Sequence, residues 1–239
     1  MAIFLTFSVP GETLATAGAT PTYPMNTHFE ISATADTIER TVRARGAGLV
    51  ALAGLPGAGK STVAEALCAR WPGAVVLPMD GYHLPRRLLD AEGLRRRGAP
   101  HTFNPERLRA DLVRLKETGA GVFPAFDHAE GDPQEGAIEV RAGATPVFVE
   151  GLYLFLRAWR LEELFDLRVF LDCPLDIAMS RVAARHLACG LATDEAAARD
   201  RAENSDRLNA ELILADGCRE RADLVIQTAP LSPKADTPC

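Results

Sequence analysis

Apolar residues gather in five short, nearly unbroken runs, at 48–54 (GLVALAG), 74–80 (AVVLPMD), 146–151 (PVFVEG), 167–173 (LRVFLDC) and 222–227 (ADLVIQ). Runs of strand length without polar alternation predict strands buried on both faces, as in a parallel sheet. Between the runs the spacing turns helical, predicting helices over 60–70, 104–116, 174–188 and 194–214. An earlier helix is predicted over 36–45, where Ile38 and Val42 form one apolar stripe among Glu39, Arg40 and Arg43. Strands alternating with helices specify an α/β domain with a five-stranded parallel core sheet and helices on both faces.

Two polar stretches interrupt the alternation and read as loops. One spans 83–102 and contains Gly93, Gly98 and Pro100; the other spans 127–136 and is rich in acid, Gly and Pro. Long loops in a compact domain are usually functional. Residues 1–24 carry a single charge, Glu12, and lack the basic start and long apolar core of a signal peptide. They read as a disordered leader or a start placed too early, with Met25 as the natural start. The domain is therefore set at 25–228, followed by a flexible tail over 229–239.

Composition narrows the class. The chain has 239 residues, 47% hydrophobic and 24% charged, which suits an ordinary globular domain and excludes a largely disordered chain or a coiled-coil rod. No apolar run reaches the ~18 residues of a membrane-spanning helix. Lys+Arg is 26 against 32 Asp+Glu, a net charge of -6, which suits neither a nucleic-acid partner nor a membrane surface. Five cysteines without a CxxC pair read as reduced thiols of a cytoplasmic protein, not as a disulfide framework or zinc site.

The sharpest motif is GLPGAGKS at 54–61, which fits G-x-x-x-x-G-K-[ST] at every fixed position. A buried strand precedes it and a helix follows. Gly54, Gly57, Ala58 and Gly59 let the backbone curl so that its N–H groups face phosphate oxygens. The helix start at Lys60, Ser61 and Thr62 adds its positive dipole end. Lys60 would reach the β- and γ-phosphates, and Ser61 would offer its hydroxyl to Mg²⁺. No N-K-x-D guanine motif and no LSGGQ-like signature is present. A single compact domain with long loops beside the phosphate site favours an ATP-dependent small-molecule kinase.

Carboxylates and arginines surround that loop. Asp80 follows the second predicted strand, where a residue can accept a proton from a substrate hydroxyl or help position Mg²⁺; an Asp-Gly turn would place it there equally well. Glu150 ends the third predicted strand, a Walker B-like position with Glu in place of Asp. Arg86, Arg87, Arg95, Arg96 and Arg97 crowd one loop near His83 and His101, as either an anion site or a solvated surface. Arg181 and Arg185, four apart, share a helix face and would serve a mobile lid over about 178–203.

These segments together resemble the phosphoribulokinase, uridine kinase and bacterial pantothenate kinase group of P-loop kinases. Within the group the chain is most similar to bacterial fructose transport system kinases, also described as nucleoside kinase-like proteins. The likeness runs over about 46–227 and rests on GLPGAGKST, PMDGYHLPRRLLDAEGLRRRGAPHTFNPERL, FPAFDHAEGDP, VFVEGLYLF, SRVAARHLACGL, ENSDRLNA and RERADLVI. It implies a P-loop NTPase fold of three α/β/α layers with a helical lid. It also implies that Asp80 is the catalytic base and that Glu150 helps hold Mg²⁺. His83, Asp127, His128 and Asn209 then fall where relatives bind substrate, and Arg181 and Arg185 fall in the lid. MDGYH replaces the DDFY-type sequence of uridine kinases, which points away from uridine. The expected reaction moves the γ-phosphoryl of ATP, with Mg²⁺, to a hydroxyl of a small polar metabolite, first a sugar such as fructose. Pantothenate or an unusual nucleoside is the alternative acceptor, and an ATP-binding regulatory NTPase the alternative class. A homodimer is the expected assembly.

Overall fold

The computed structural model describes residues 3–5, 27–127 and 130–228. In chain order the elements are β1 (Ile3–Leu5), α1 (Thr27–Arg45), β2 (Leu49–Gly54), α2 (Lys60–Arg70), β3 (Val75–Pro78), α3 (Ala91–Arg95), α4 (Pro105–Thr118), β4 (Gly121–Asp127) and β5 (Asp132–Val140). They continue with β6 (Val147–Gly151), β7 (Leu167–Asp172), α5 (Leu175–Ala188), α6 (Glu195–Arg201), a π-helical turn over Ala202–Asp206, α7 (Arg207–Ala215) and β8 (Leu224–Gln227).

The main sheet is parallel throughout, in the order β1-β8-β7-β2-β6-β3. Five of its six strands, all but β1, are the five apolar runs, and helices on both faces complete the three-layer P-loop fold. β2 lies in the middle and is buried along its whole length, as an unbroken apolar strand must be in a two-sided core. β6 and β7 flank it, with Leu52 level with Glu150 on one side and Val169 on the other. Phe148, Phe170, Leu52 and Leu67 are among the fully buried side chains that fill the core.

Three expectations are corrected. The leader was expected to stay outside the fold, yet Ile3–Leu5 pairs in parallel with Leu224–Ile226 of β8. It covers an edge that would otherwise present unpaired backbone groups. The stretch 127–136, read as a loop, instead holds the turn of an antiparallel hairpin of β4 and β5 and the first half of β5, turned at Gly131 with φ 70. β5 is largely exposed, so burial never imposed an apolar alternation on it. Among the cysteines, Cys68, Cys173 and Cys218 are free thiols, whereas Cys189 is in a disulfide, contrary to the expectation of reduced thiols throughout. Among the described residues, no helix is long and apolar enough to cross a membrane.

Candidate active site

The phosphate loop follows from where β2 stops. Gly57 (φ 77) and Gly59 (φ 89) take left-handed backbone that other residues adopt at a cost. A Cβ on Gly57 would also lie 2.4 Å from the Ala178 carbonyl oxygen of α5, so glycine is needed there twice over. Gly59 precedes α2 without a side-chain cap, leaving the first N–H groups of the helix for another acceptor. Gly54 and Ala58 are buried beneath the loop, and Ser61 and Thr62 stand in the first turn of α2.

Lys60 is only 8% exposed, and its Nζ donates to the Leu55 carbonyl at 3.0 Å. Burial pushes its pKa down to about 8; Arg185 acts in the same direction, while Glu150 and Asp80 oppose it. Glu150 is half-buried and accepts from the Ser61 hydroxyl at 3.2 Å. Burial pushes its pKa up to about 7, with Asp80 adding to the rise and Lys60, Ser61 and Arg185 opposing it. A strand register explains the convergence. Pro78 of β3 lies beside Glu150 of β6, and Asp80 comes two residues later in a single 3-10 turn, Met79–Tyr82. A Cβ on Gly81 would come within 2.3 Å of the Pro124 carbonyl oxygen, so only glycine lets that turn pack against β4.

His83 does not point its polarity outward. Its backbone N–H donates to the Asp80 carbonyl at 3.1 Å, and its Nδ1 lies 2.9 Å from the same oxygen. Its ring packs on Phe103 and Phe126, with centroids at 3.9 and 4.8 Å. His83 therefore holds the Asp80 turn in place and forms part of the cleft wall. Asp127 shapes the tip of the β4–β5 hairpin, where its Oδ1 accepts from Glu130 N at 3.2 Å and its carbonyl from Gly131 N at 2.8 Å. His128 lies outside the described residues. Asn209, 3% exposed on α7, donates to the Gly98 carbonyl at 3.3 Å.

The two lid arginines separate. Arg181 Nη1 donates to the Gly57 carbonyl at 3.1 Å and fastens α5 to the phosphate loop. Arg185, one turn further on, is exposed, and its charge reaches Lys60 and Glu150. Sequence reasoning passed over Tyr153, which lies inside an apolar run. It is fully buried, its hydroxyl donates to the Gly98 carbonyl at 2.6 Å, and its ring meets Phe103 and Trp159. Among the described residues, no three His, Cys, Asp or Glu gather to hold a metal. The Ser61 hydroxyl and Glu150 carboxylate, joined beside the phosphate loop, are oxygens whose chemistry suits a hard cation. A cavity of ≈ 530 Å³ between α5, α6 and the π-turn is lined by none of these site residues.

Residues 50–207 match a family described as AAA domain. A Schizosaccharomyces pombe protein, provisionally named a uridine kinase, is 37% identical over 180 residues, covering 67% of this chain and 75% of that one. The ATP-dependent kinase-like protein notR' of Aspergillus versicolor is 39% identical over 149 residues, covering 57% of this chain and 87% of that one. A crystal structure from Silicibacter sp. TM1040, provisionally named a fructose transport system kinase, superposes with a TM-score of 0.70 at 36% identity. It covers 82% of this chain and 98% of that one.

Proposed function

The chain belongs to the uridine kinase-like group of P-loop kinases, and we propose that it transfers the γ-phosphoryl group of ATP to a hydroxyl of a small polar metabolite. The observation that supports this most is the meeting of Asp80 with Lys60 and Glu150 at one end of the sheet. A phosphate loop alone serves any NTPase. A carboxylate held beside it by its own strand, glycine turn and histidine clamp is what an acceptor hydroxyl requires.

Each residue then has a task. The loop amides and the start of α2 bind the phosphates, and Lys60 carries positive charge to the group being transferred. Ser61 and Glu150 would hold Mg²⁺, which when bound neutralises charge on the phosphates. Asp80 accepts the proton of the acceptor hydroxyl and orients its oxygen. Arg185 reaches the developing charge, while Arg181 keeps α5 in register with the loop. A sugar is the first acceptor class, in line with the name given to the Silicibacter relative.

Asp80→Asn tests the assignment. It keeps the turn geometry, since Asn suits the same turn, and removes the proton acceptor. Mg²⁺–ATP affinity should stay within a few-fold of wild type while acceptor-dependent turnover falls by about 10²–10⁴-fold. Turnover within a few-fold of wild type would remove Asp80 from the mechanism.

A further inference from the structure

Three consecutive arginines, Arg95, Arg96 and Arg97, lie at the end of α3 and just past it, and their charges are treated differently. Arg95 is exposed and pairs with Glu92, with Nε at 2.9 Å. Arg97 donates to Asp132 at 2.9 Å and to the Leu84 carbonyl at 3.2 Å, and its guanidinium lies 5.5 Å from the Phe126 ring centroid. Arg96 is half-buried and has no carboxylate partner among the described residues. Its one hydrogen bond is a long one, 3.5 Å from Nη2 to Asn209 Oδ1, and its Nε is buried with no acceptor. A guanidinium keeps its charge, so withdrawing it from water without a counter-charge is unfavourable. The fold nevertheless holds it in place.

The scaffold around it is well built. Gly98, at φ 103, presents its carbonyl to two donors, the Tyr153 hydroxyl at 2.6 Å and Asn209 Nδ2 at 3.3 Å. Asn209 thus spends one end of its buried amide on the Gly98 backbone and turns the other toward Arg96. The same wall leads to Asp80. His83 holds the Asp80 carbonyl and stacks on Phe103, and Phe103 meets Tyr153 edge-on at 5.6 Å. Burial, then Asp80 and Asp206, hold the Tyr153 phenol well above its ordinary range, and Arg96 opposes them. Asp80 and Arg96 therefore both lie within electrostatic reach of one buried phenol.

We infer that Arg96, steadied by Asn209, binds an anionic group of the phosphoryl acceptor, a carboxylate or a phosphate, while the acceptor hydroxyl lies at Asp80. The acceptor is then a hydroxy acid or a phosphorylated polyol, not a neutral sugar or nucleoside. This rests on the phosphotransfer reading and replaces the neutral sugar named there with an anionic acceptor. A planar guanidinium with unused N–H donors matches the paired oxygens of either anion.

Matched acceptors test it on the full chain with Mg²⁺–ATP: glycerate against glycerol, pantothenate against pantothenol, and fructose 6-phosphate against fructose. In at least one pair the anionic member should have a kcat/KM at least about tenfold higher. Arg96→Met should erase that preference by raising the acceptor KM, with kcat and the KM for ATP within a few-fold of wild type. Arg96→Lys should restore part of it, and Arg95→Met should leave it intact. Preference for the neutral members, or an unchanged acceptor KM in Arg96→Met, overturns the inference and leaves the kinase reading standing. If no pair is turned over, the kinase reading is what fails, and binding decides the role of Arg96. Inorganic phosphate and acetate are then titrated into protein saturated with Mg²⁺–ADP. Saturable binding by wild type and Arg95→Met, weakened at least tenfold in Arg96→Met, supports the anion site. Equal or undetectable binding in all three proteins overturns it.

Discussion

Lys60 and Glu150 oppose each other's burial penalty, because their opposite charges act on each other from either side of a loop built for a third, more highly charged group. Glu150, raised from 4.5 to about 7, holds a proton in the folded protein that the unfolded chain has released across that interval. Its favourable contribution is present at low pH and is lost as the pH climbs through about 7. Unliganded wild type should therefore lose Tm relative to Glu150→Gln between pH 4.5 and 7.5. Melting curves that run parallel across that range would show that the carboxyl is not raised. At this scale the sequence is uneven. Lys60 and Ser61 are legible because the motif is contiguous and its chemistry depends on backbone spacing alone. The meeting of Asp80 with Glu150 is not, because it depends on the register between β3 and β6, which lie about 70 residues apart in sequence. Tyr153 was hidden because its hydroxyl is spent inside an otherwise apolar run.

At the scale of the element, α5 carries two arginines that helical spacing puts on one face and that the structure gives different work. Arg181 is tied to Gly57, so Arg181→Gln should loosen the loop and lower Tm as well as nucleotide affinity. Arg185 is exposed, so Arg185→Gln should leave Tm unchanged and cut turnover by about 10–10²-fold through lost charge stabilisation. A fall in Tm for Arg185→Gln without a fall in turnover would reverse the two roles. The buried strands and the long helices were readable, since burial imposes their periodicity. The β4–β5 hairpin was not, because most of β5 faces water and its residues answer to turn and pairing geometry instead of to a core. The π-turn at Ala202–Asp206 likewise sits within one predicted helix, since a change from α to π spacing leaves the apolar pattern nearly intact.

For the molecule as a whole, β2 is central and both its neighbours are remote in sequence, so the site is assembled by topology from loops at the carboxyl ends of the strands. The edge strand β1 contributes only three paired positions, far from β2. Removing residues 1–24 should lower Tm by a few degrees at most and leave Mg²⁺–ATP affinity unchanged. A clear loss of nucleotide binding would mean that the leader supports the site. The central claim concerns where the γ-phosphoryl group goes. The direct measurement is the fate of γ-labelled ATP incubated with the protein and a fractionated pool of small metabolites containing polyols, hydroxy acids and their phosphates. Phosphotransfer predicts label in an alcohol phosphate, acceptor-dependent and abolished in Asp80→Asn. Label recovered only as inorganic phosphate, at a rate indifferent to the pool and to Asp80, would contradict it.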